Sequence, residues 1–288
     1  MTNTDPGAPE YEYDWQNPDQ KTFDFGRTFN RAIEIIKLRG VRMLILTTIF
    51  LGLPFFFMNL LPMFMDGGLQ DFLESEDPST LFDASIASFI VMGVLIGLFF
   101  LIASLWLQPA LIKISYSALT NEDEPIWPTL KQVSRFVLPV LGFYILYGLG
   151  VFFGFILLII PAFFIGLGWM LGAHIIVLEG QGVTDSLSRS WTMSKGFKRW
   201  LLLLAIVFGI ISTIISVLVS IPIYFMGDPN LALLEGASPL YWIMNGVLSA
   251  VAQAVASVIG MAWSTAAYVE IRKVREGVDP ESKIDVFI

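Results

Sequence analysis

The amino-acid sequence predicts an all-α membrane protein with six transmembrane helices. Hydrophobic residues make up 55% of the chain, charged residues only 15%, and the mean hydropathy is +0.70. Charged residues usually account for about a quarter of a soluble domain, so this composition is typical of a chain that lies in a bilayer. The length of the uncharged runs and the placement of the basic residues support the same prediction.

Five uncharged runs supply the six spans, since one span needs about 20 apolar residues. The run from residue 136 to residue 178 is twice that length, so it must fold back on itself. We expect the turn among Gly148, Gly150, Gly154 and Pro161, because glycine and proline interrupt helices. The predicted spans are residues 43–65, 84–112, 136–155, 159–178, 200–226 and 241–269.

These spans form one membrane domain, residues 23–277, between two short tails. Residues 1–22 begin with acidic residues and prolines and contain no apolar stretch, which excludes a signal peptide and favours a disordered cytoplasmic tail. Residues 278–288 form a short second cytoplasmic tail.

The basic residues fix an orientation. All 17 Lys and Arg residues fall on one side of the six spans, and the loops on the other side carry only acidic charges. The positive-inside rule places the basic side in the cytoplasm, together with both termini. We therefore predict a multi-pass protein of a bacterial-type inner (plasma) membrane.

The residue inventory argues against an enzyme. The chain has no cysteine and one histidine, His174, so we expect no disulfide, no metal site and no cofactor. We expect His174 either to form a structural hydrogen bond near the cytoplasmic end of its span or to act as a functional group that pairs with Glu179 or relays a proton. None of the spans contains a charged residue, which argues against a proton- or sodium-coupled transporter.

Amphipathic patterns precede the first, third and fifth spans. Apolar residues recur at helical spacing in residues 25–40, 126–137 and 183–196, each time opposite basic residues. Arg31 aligns with Arg189, and Gly40 aligns with Gly196 after a two-residue gap. We predict three amphipathic interfacial helices and a threefold repeat of one such helix followed by two spans.

The stretch Val177 to Trp200 carries the most specific motif in the chain. It contains the pairs Glu179-Gly180, Ser186-Leu187, Lys195-Gly196 and Arg199-Trp200 around the triplet Arg189-Ser190-Trp191, and the chain closes with Tyr268 to Arg272 and Arg275-Glu276-Gly277. These motifs, with the opening segment after Phe23, resemble the glycerophosphodiester phosphodiesterase membrane-domain family. Ser186 departs from the alanine that is commoner there.

The resemblance implies a bacterial inner-membrane module of unsettled function. It also implies no hydrolase, because hydrolysis in that family belongs to a separate soluble barrel of about 250 residues with its own histidines and carboxylates, for which this chain has no room. The resemblance marks six residues as a structural signature. They are Glu179, Trp191, Gly196, Trp200, Glu270 and Arg272.

A structural role explains the Val177 to Trp200 stretch better than a catalytic one. Ser190 has no nearby histidine to activate it, whereas Thr184 can cap a helix that has Asp185 in its first turn. Trp191 and Trp200 suit the membrane interface. Four basic residues are candidate contacts for a lipid headgroup or a partner: Arg189, Lys195, Lys198 and Arg199.

Three functions follow as hypotheses. The first is a non-enzymatic protein that organises membrane lipid or acts as a scaffold for partner proteins. The second is a lipid or small-molecule transporter or channel, whose path would be lined by Asn59, Gln108, Asn245 or Gln253. The third is an accessory or assembly subunit of a larger complex. We expect membrane lipids as partners, not nucleic acid; the small residues of the last span suit either a central position or contact with another membrane protein or copy.

Overall fold

The computed structural model describes residues 22–60, 84–120, 122, 125–157, 159–226 and 238–278. The predicted tails lie outside these residues, apart from Thr22 and Val278. The described residues contain helices and no strand, and six helices are long and apolar enough to cross a membrane. This confirms the predicted class, an all-helical chain with six candidate spans.

The helices follow the predicted order. The first half of the chain contains α1 (Phe25–Thr47), a π-helical turn (Thr48–Gly52), α2 (Leu53–Leu60), α3 (Ala84–Thr120), α4 (Ile126–Val133), a 3₁₀ turn (Ser134–Phe136) and α5 (Val137–Leu157). The second half contains α6 (Ile159–Trp169), α7 (Gly172–His174), a second π-helical turn (Ile175–Glu179), α8 (Val183–Ser194), α9 (Lys198–Tyr224) and α10 (Pro239–Glu276).

The first span is the second part of a longer helix. Together α1, the π-helical turn and α2 form a 36-residue helix, Phe25–Leu60. At 1.5 Å per residue it measures about 54 Å, so its first turns extend beyond a hydrocarbon core of about 30 Å. Asp24 caps it by accepting a hydrogen bond from the N–H of Arg27 at 3.0 Å. Residues 25–40 are therefore continuous with their span.

The long run from residue 136 to residue 178 folds back as predicted. Helix α5 ends at Leu157 and α6 begins at Ile159, and the two helices pack against each other. Pro161 lies in the first turn of α6, where its missing N–H costs no helical hydrogen bond. Gly154 lies inside α5, where it allows close packing, since a Cβ there would lie 2.9 Å from the Cα of Ala162.

The fourth span is a broken helix. Helix α6 ends at Trp169, and the three-residue α7 and a π-helical turn complete the span to Glu179. Gly172 lies directly after the break, where the Phe143 ring of α5 occupies the place of a side chain. A break at this depth leaves helix-end carbonyl groups without their helical partners, and these need other donors.

Helix α10 occupies the centre of the bundle. It packs against α1, α2, α3, α8 and α9. Small residues allow this close approach: a Cβ on Gly246 would lie 2.8 Å from the Phe56 ring, and one on Gly260 would lie 2.9 Å from the Phe208 ring. Of the two locations expected for the last span, the central one is observed.

The larger side-chain core of the described residues lies at the basic end of the spans, and a smaller one, formed by Ile223, Tyr241 and Trp242, lies at the opposite end. At the basic end, Ile114, Leu171 and Ile175 are fully buried. Towards the opposite end the helices expose their apolar side chains, including Leu95, Phe152 and Leu218. In a bilayer such side chains face lipid tails, so most of the protein-protein packing is at the basic end.

Candidate functional site

The first part of the candidate site is a buried ion-pair cluster around Glu270. This side chain is fully buried in the last turns of α10 and accepts hydrogen bonds from Arg27 at 2.6–3.1 Å and from Arg31 Nη1 at 2.9 Å. The backbone N–H of Asp24 donates to it at 3.2 Å. Arg31 is itself only 3% exposed. We call Glu270, Arg27, Arg31 and Asp24 the Glu270 cluster.

Local packing explains how these distant residues meet. Arg27 and Arg31 are four residues apart on α1 and therefore share one face. Two turns before Glu270, the Trp263 ring of α10 lies 6.1 Å from the Phe25 ring and 5.3 Å from the Phe29 ring. The aromatic contact thus holds the start of α1 against the end of α10 and sets the two arginines beside the carboxylate.

A second cluster joins the end of the fourth span, α8 and α10. Arg189 of α8 forms an ion pair with Glu179 and donates a hydrogen bond to Glu276 at 2.7 Å. The Tyr268 hydroxyl donates to Glu179 at 2.8 Å, and Arg272 Nε donates to Glu276 at 3.1 Å. We call these five residues the Glu179 cluster. Two carboxylates and two guanidinium groups balance its charge.

The environment of Arg189 keeps it charged. Burial lowers the pKa of the guanidinium, but the hydrogen bond and charge of Glu179 and the charge of Glu276 outweigh that effect. The pKa of Arg189 therefore lies above its ordinary value, so this residue holds its ion pairs as a permanent cation.

His174 connects the Glu179 cluster to the span interior. Its Nε2 and the Thr265 hydroxyl are hydrogen-bonded at 3.2 Å, and its ring stacks on Tyr268 with centroids 5.6 Å apart. The hydrogen bond confirms one of the two roles predicted for His174. Tyr268, rather than His174, bonds to Glu179.

Helix α8 supplies the donors that the broken fourth span requires. Ser190 Oγ and Ser194 Oγ both donate to the Gly168 carbonyl, at 2.9 Å and 3.1 Å. The Trp191 ring lies against Gly168 at the place of a side chain. The hydroxyl of Ser190 is thus fully buried in a structural bond, a role that the sequence motif alone did not indicate.

The start of α8 corrects one prediction. The helix begins at Val183 with extended Gly182 as its N-cap, and no side chain caps it. The predicted cap at Thr184 is wrong, because Thr184 already lies inside the first turn. After the helix ends, Gly196, at φ +89°, adopts the left-handed conformation that favours glycine. Arg275 also donates to the Met193 carbonyl at 2.8 Å and to the Lys195 carbonyl.

The four candidate basic residues have different environments. Arg189 lies inside the Glu179 cluster, whereas Lys195 and Arg199 are exposed. Lys198 Nζ lies 3.6 Å from the centroid of the Trp191 ring and donates to the Phe164 carbonyl at 3.2 Å. Trp200 stacks on Phe23 at 5.7 Å. Arg189 therefore takes part in an ion-pair cluster, whereas the other three candidate basic residues do not.

The four polar residues of the spans also divide into two pairs. Asn245 of α10 donates to Asn59 of α2 at 3.3 Å, a hydrogen bond between helices. Gln108 and Gln253 instead line a pocket. Asn59 and Asn245 are not among the described residues that line it.

The spans and the two charge clusters define a multi-pass helical membrane protein with a polar, tightly packed basic end. The chain belongs to the family described as "Domain of unknown function (DUF7847)", whose pattern it matches over residues 43–271. No curated protein matches the chain, and no solved structure matches it. The matched range includes Glu179 and Glu270.

Proposed function

We propose that the protein is a non-enzymatic membrane protein that gathers anionic lipid at its basic end. The observation that carries this proposal is the contact of Lys198 with the Trp191 ring, 3.6 Å from the centroid, beside the exposed Lys195 and Arg199. We call these four residues the basic rim. Trp191 is 41% exposed, so its indole is available to the membrane interface.

The chemistry of the basic rim suits phospholipid headgroups. A Lys or Arg close to an anionic membrane surface contributes about 1 kcal/mol of attraction, and an interfacial indole adds apolar contact while its N–H stays hydrated. Arg189 belongs to the Glu179 cluster and contributes indirectly, by holding α8 in place. Of the four candidate basic residues, the rim therefore contains the three that lie outside the two ion-pair clusters, together with Trp191.

We further propose that the basic end faces the cytoplasm in a bacterial-type inner membrane, with both termini inside. The one-sided distribution of all 17 Lys and Arg residues supports this orientation. A peptide tag inserted between residues 67 and 83 is expected to react with an impermeant reagent in intact cells, and a tag at the N-terminus is expected to react only after lysis. The reverse pattern would refute the orientation.

A threefold repeat remains part of the proposal. Residues 25–40, α4 and α8 each come directly before a span, and the aligned residues Arg31 and Arg189 both pair with carboxylates of α10, Glu270 and Glu276. The aligned glycines differ, since Gly40 lies within a continuous helix and Gly196 follows the end of one. We also propose a relationship to the glycerophosphodiester phosphodiesterase membrane-domain family, on the motifs given above.

Removing the three cations tests lipid gathering. The triple variant Lys195→Gln, Lys198→Gln and Arg199→Gln is expected to bind anionic phospholipid about a hundredfold more weakly than the wild type, because three contributions of about 1 kcal/mol are lost. The measurement is the affinity of the purified chain in detergent for dioctanoylphosphatidylglycerol, read from the concentration dependence of thermal stabilisation.

The matched control keeps the charges and changes the side chains. The variant Lys195→Arg, Lys198→Arg and Arg199→Lys is expected to retain wild-type binding to phosphatidylglycerol, and all three proteins are expected to interact equally with phosphatidylcholine alone. Unchanged phosphatidylglycerol binding in the glutamine variant would refute the proposal. If protein partners instead of lipid were lost from that variant after mild solubilisation, the chain would act as a scaffold or accessory subunit.

A further inference from the structure

A pocket of about 300 Å³ lies within the spans, away from both ion-pair clusters. Its walls come from the first π-helical turn, α3, α9 and α10, and they include Gln108, Gln253 and Phe208. Gln253 lies near the middle of the predicted span 241–269. The pocket is therefore at the depth of the lipid acyl chains and not in the cytoplasmic surface.

Two amide groups in this pocket have no hydrogen-bond partner among the described residues. Gln108 and Gln253 are half-buried, and neither side chain bonds to another part of the described chain. The pair Asn59 and Asn245, by contrast, bond to each other at 3.3 Å. An amide without a partner in hydrocarbon is unfavourable, so the two glutamines are expected to bond to a molecule in the pocket.

Three serines in the same walls offer acceptors only. Ser104 donates its hydroxyl proton to the Leu101 carbonyl at 2.7 Å, Ser257 to the Gln253 carbonyl at 2.8 Å and Ser264 to the Met261 carbonyl at 3.1 Å. Each hydroxyl oxygen keeps lone pairs that can accept a bond from a ligand. The glutamine amides add both donors and acceptors.

The lining residues determine which charge and which hydrogen-bonding groups a ligand of this pocket can have. The lining residues that the structure describes include none that is charged, so among them an ionised headgroup would lose its hydration without gaining a counter-ion. A hydroxyl group can donate to the serine oxygens and accept from the glutamine amides, whereas a carbonyl group can only accept. The pocket is therefore complementary to an uncharged head that carries a hydroxyl group.

The size and position of the pocket suit a lipid head and not a whole lipid. Its 300 Å³ corresponds to about ten water molecules at about 30 Å³ each, enough for a glycerol unit and an ester group. One turn from Ser104, Leu101 is half exposed on the outer surface of α3. An acyl chain that leaves the pocket would thus meet apolar surface.

We propose that this pocket binds the uncharged, hydroxyl-bearing head of a neutral membrane lipid of the acylglycerol type. The site differs from the basic rim in place and in chemistry: the rim binds charge at the interface, and the pocket binds a neutral head within the bilayer. The two proposals can therefore fail separately.

The test compares a neutral probe with variants of the two glutamines. The probe is 1,2-dioctanoylglycerol, and its binding to the purified full-length chain in detergent is measured from the concentration dependence of thermal stabilisation. The double variant Gln108→Leu and Gln253→Leu is expected to bind the probe at least tenfold more weakly, since two hydrogen bonds are lost. Leucine keeps the size and helical preference of glutamine, so the variant is expected to fold.

Three controls make the outcome specific. The variant Asn59→Leu and Asn245→Leu removes amides outside the pocket and is expected to leave probe affinity unchanged. A decyl benzoquinone, which offers acceptors only, is expected to bind more weakly than dioctanoylglycerol. The glutamine variant of the basic rim is expected to keep wild-type affinity for the neutral probe.

Equal probe affinity in the wild type and the double variant would overturn the proposal, as would tighter binding of the quinone. If the double variant did not fold, Ser257→Phe would replace it, because a ring there fills the pocket without touching either ion-pair cluster. Unchanged probe binding by Ser257→Phe would likewise overturn the proposal.

Discussion

Replacing Glu270 with alanine is expected to lower the free energy of unfolding by about 3–5 kcal/mol, the usual cost of removing one partner from a buried ion pair. The change removes the buried carboxylate that pairs with Arg31, which is only 3% exposed, and that accepts hydrogen bonds from Arg27 and from the Asp24 N–H. The measurement is denaturant-induced unfolding of the purified chain in a mild detergent, followed by circular dichroism.

Glu34→Ala is the matched control. Glu34 is an exposed carboxylate on the same helix as Arg27 and Arg31, so its removal is expected to change stability by no more than about 0.5 kcal/mol. Glu270→Gln, which keeps the shape and loses the charge, is expected to lie between the control and alanine. A Glu270→Ala protein as stable as Glu34→Ala would show that the Glu270 cluster does not hold α1 to α10.

The spans were predictable because a membrane span is identified by the hydropathy of its own contiguous residues. Uncharged runs predicted six spans, and the observed helices overlap all six, with extensions at the basic end in α3 and α10. The break in the fourth span was not predictable. Met170 and Leu171 are ordinary helical residues, and the break depends on Phe143 of α5 and on the hydroxyl groups of Ser190 and Ser194, which are distant in the sequence.

The candidate site could be predicted as a set of residues but not as a set of contacts. The closing motif and the opening motif marked Glu270 and Arg31, yet 239 residues separate the two. Pairing over such a distance depends on how α1 and α10 pack, which periodicity in one segment does not reveal. Composition does not identify the partners of Glu270 either. A fully buried glutamate is rare unless it is paired, but the amino-acid composition does not show which glutamate is buried.

The two ion-pair clusters have a common structural consequence. Both are built on the last turns of α10, and together they attach the start of α1, the end of the fourth span and α8 to that helix. At the opposite ends, the described residues of the spans expose many apolar side chains. The position of the basic rim therefore depends on the Glu179 cluster, since α8 carries both Arg189 and Trp191.

Replacing Arg189 with methionine is accordingly expected to weaken the basic end. Methionine keeps most of the side-chain length and leaves Glu179, whose side chain is only 10% exposed, without its cation. We expect a loss of about 2–3 kcal/mol in the free energy of unfolding, less than for Glu270 because Arg189 and Glu276 are partly hydrated. Arg189→Lys is expected to lose part of this, because an ammonium group cannot reproduce the planar fork between two carboxylates.

Arg199→Met is the matched control, since it removes an exposed arginine ten residues away and is expected to change stability by no more than about 0.5 kcal/mol. A second substitution, which removes the Glu179 carboxylate as well, distinguishes an ion pair from simple packing. If Glu179 is the main partner, the double variant Arg189→Met and Glu179→Gln is expected to lose less than the sum of the two single losses, because each change relieves the charge that the other leaves unpaired. Strictly additive losses would show that Arg189 stabilises α8 through its apolar stem, and the rim would then not depend on these charges.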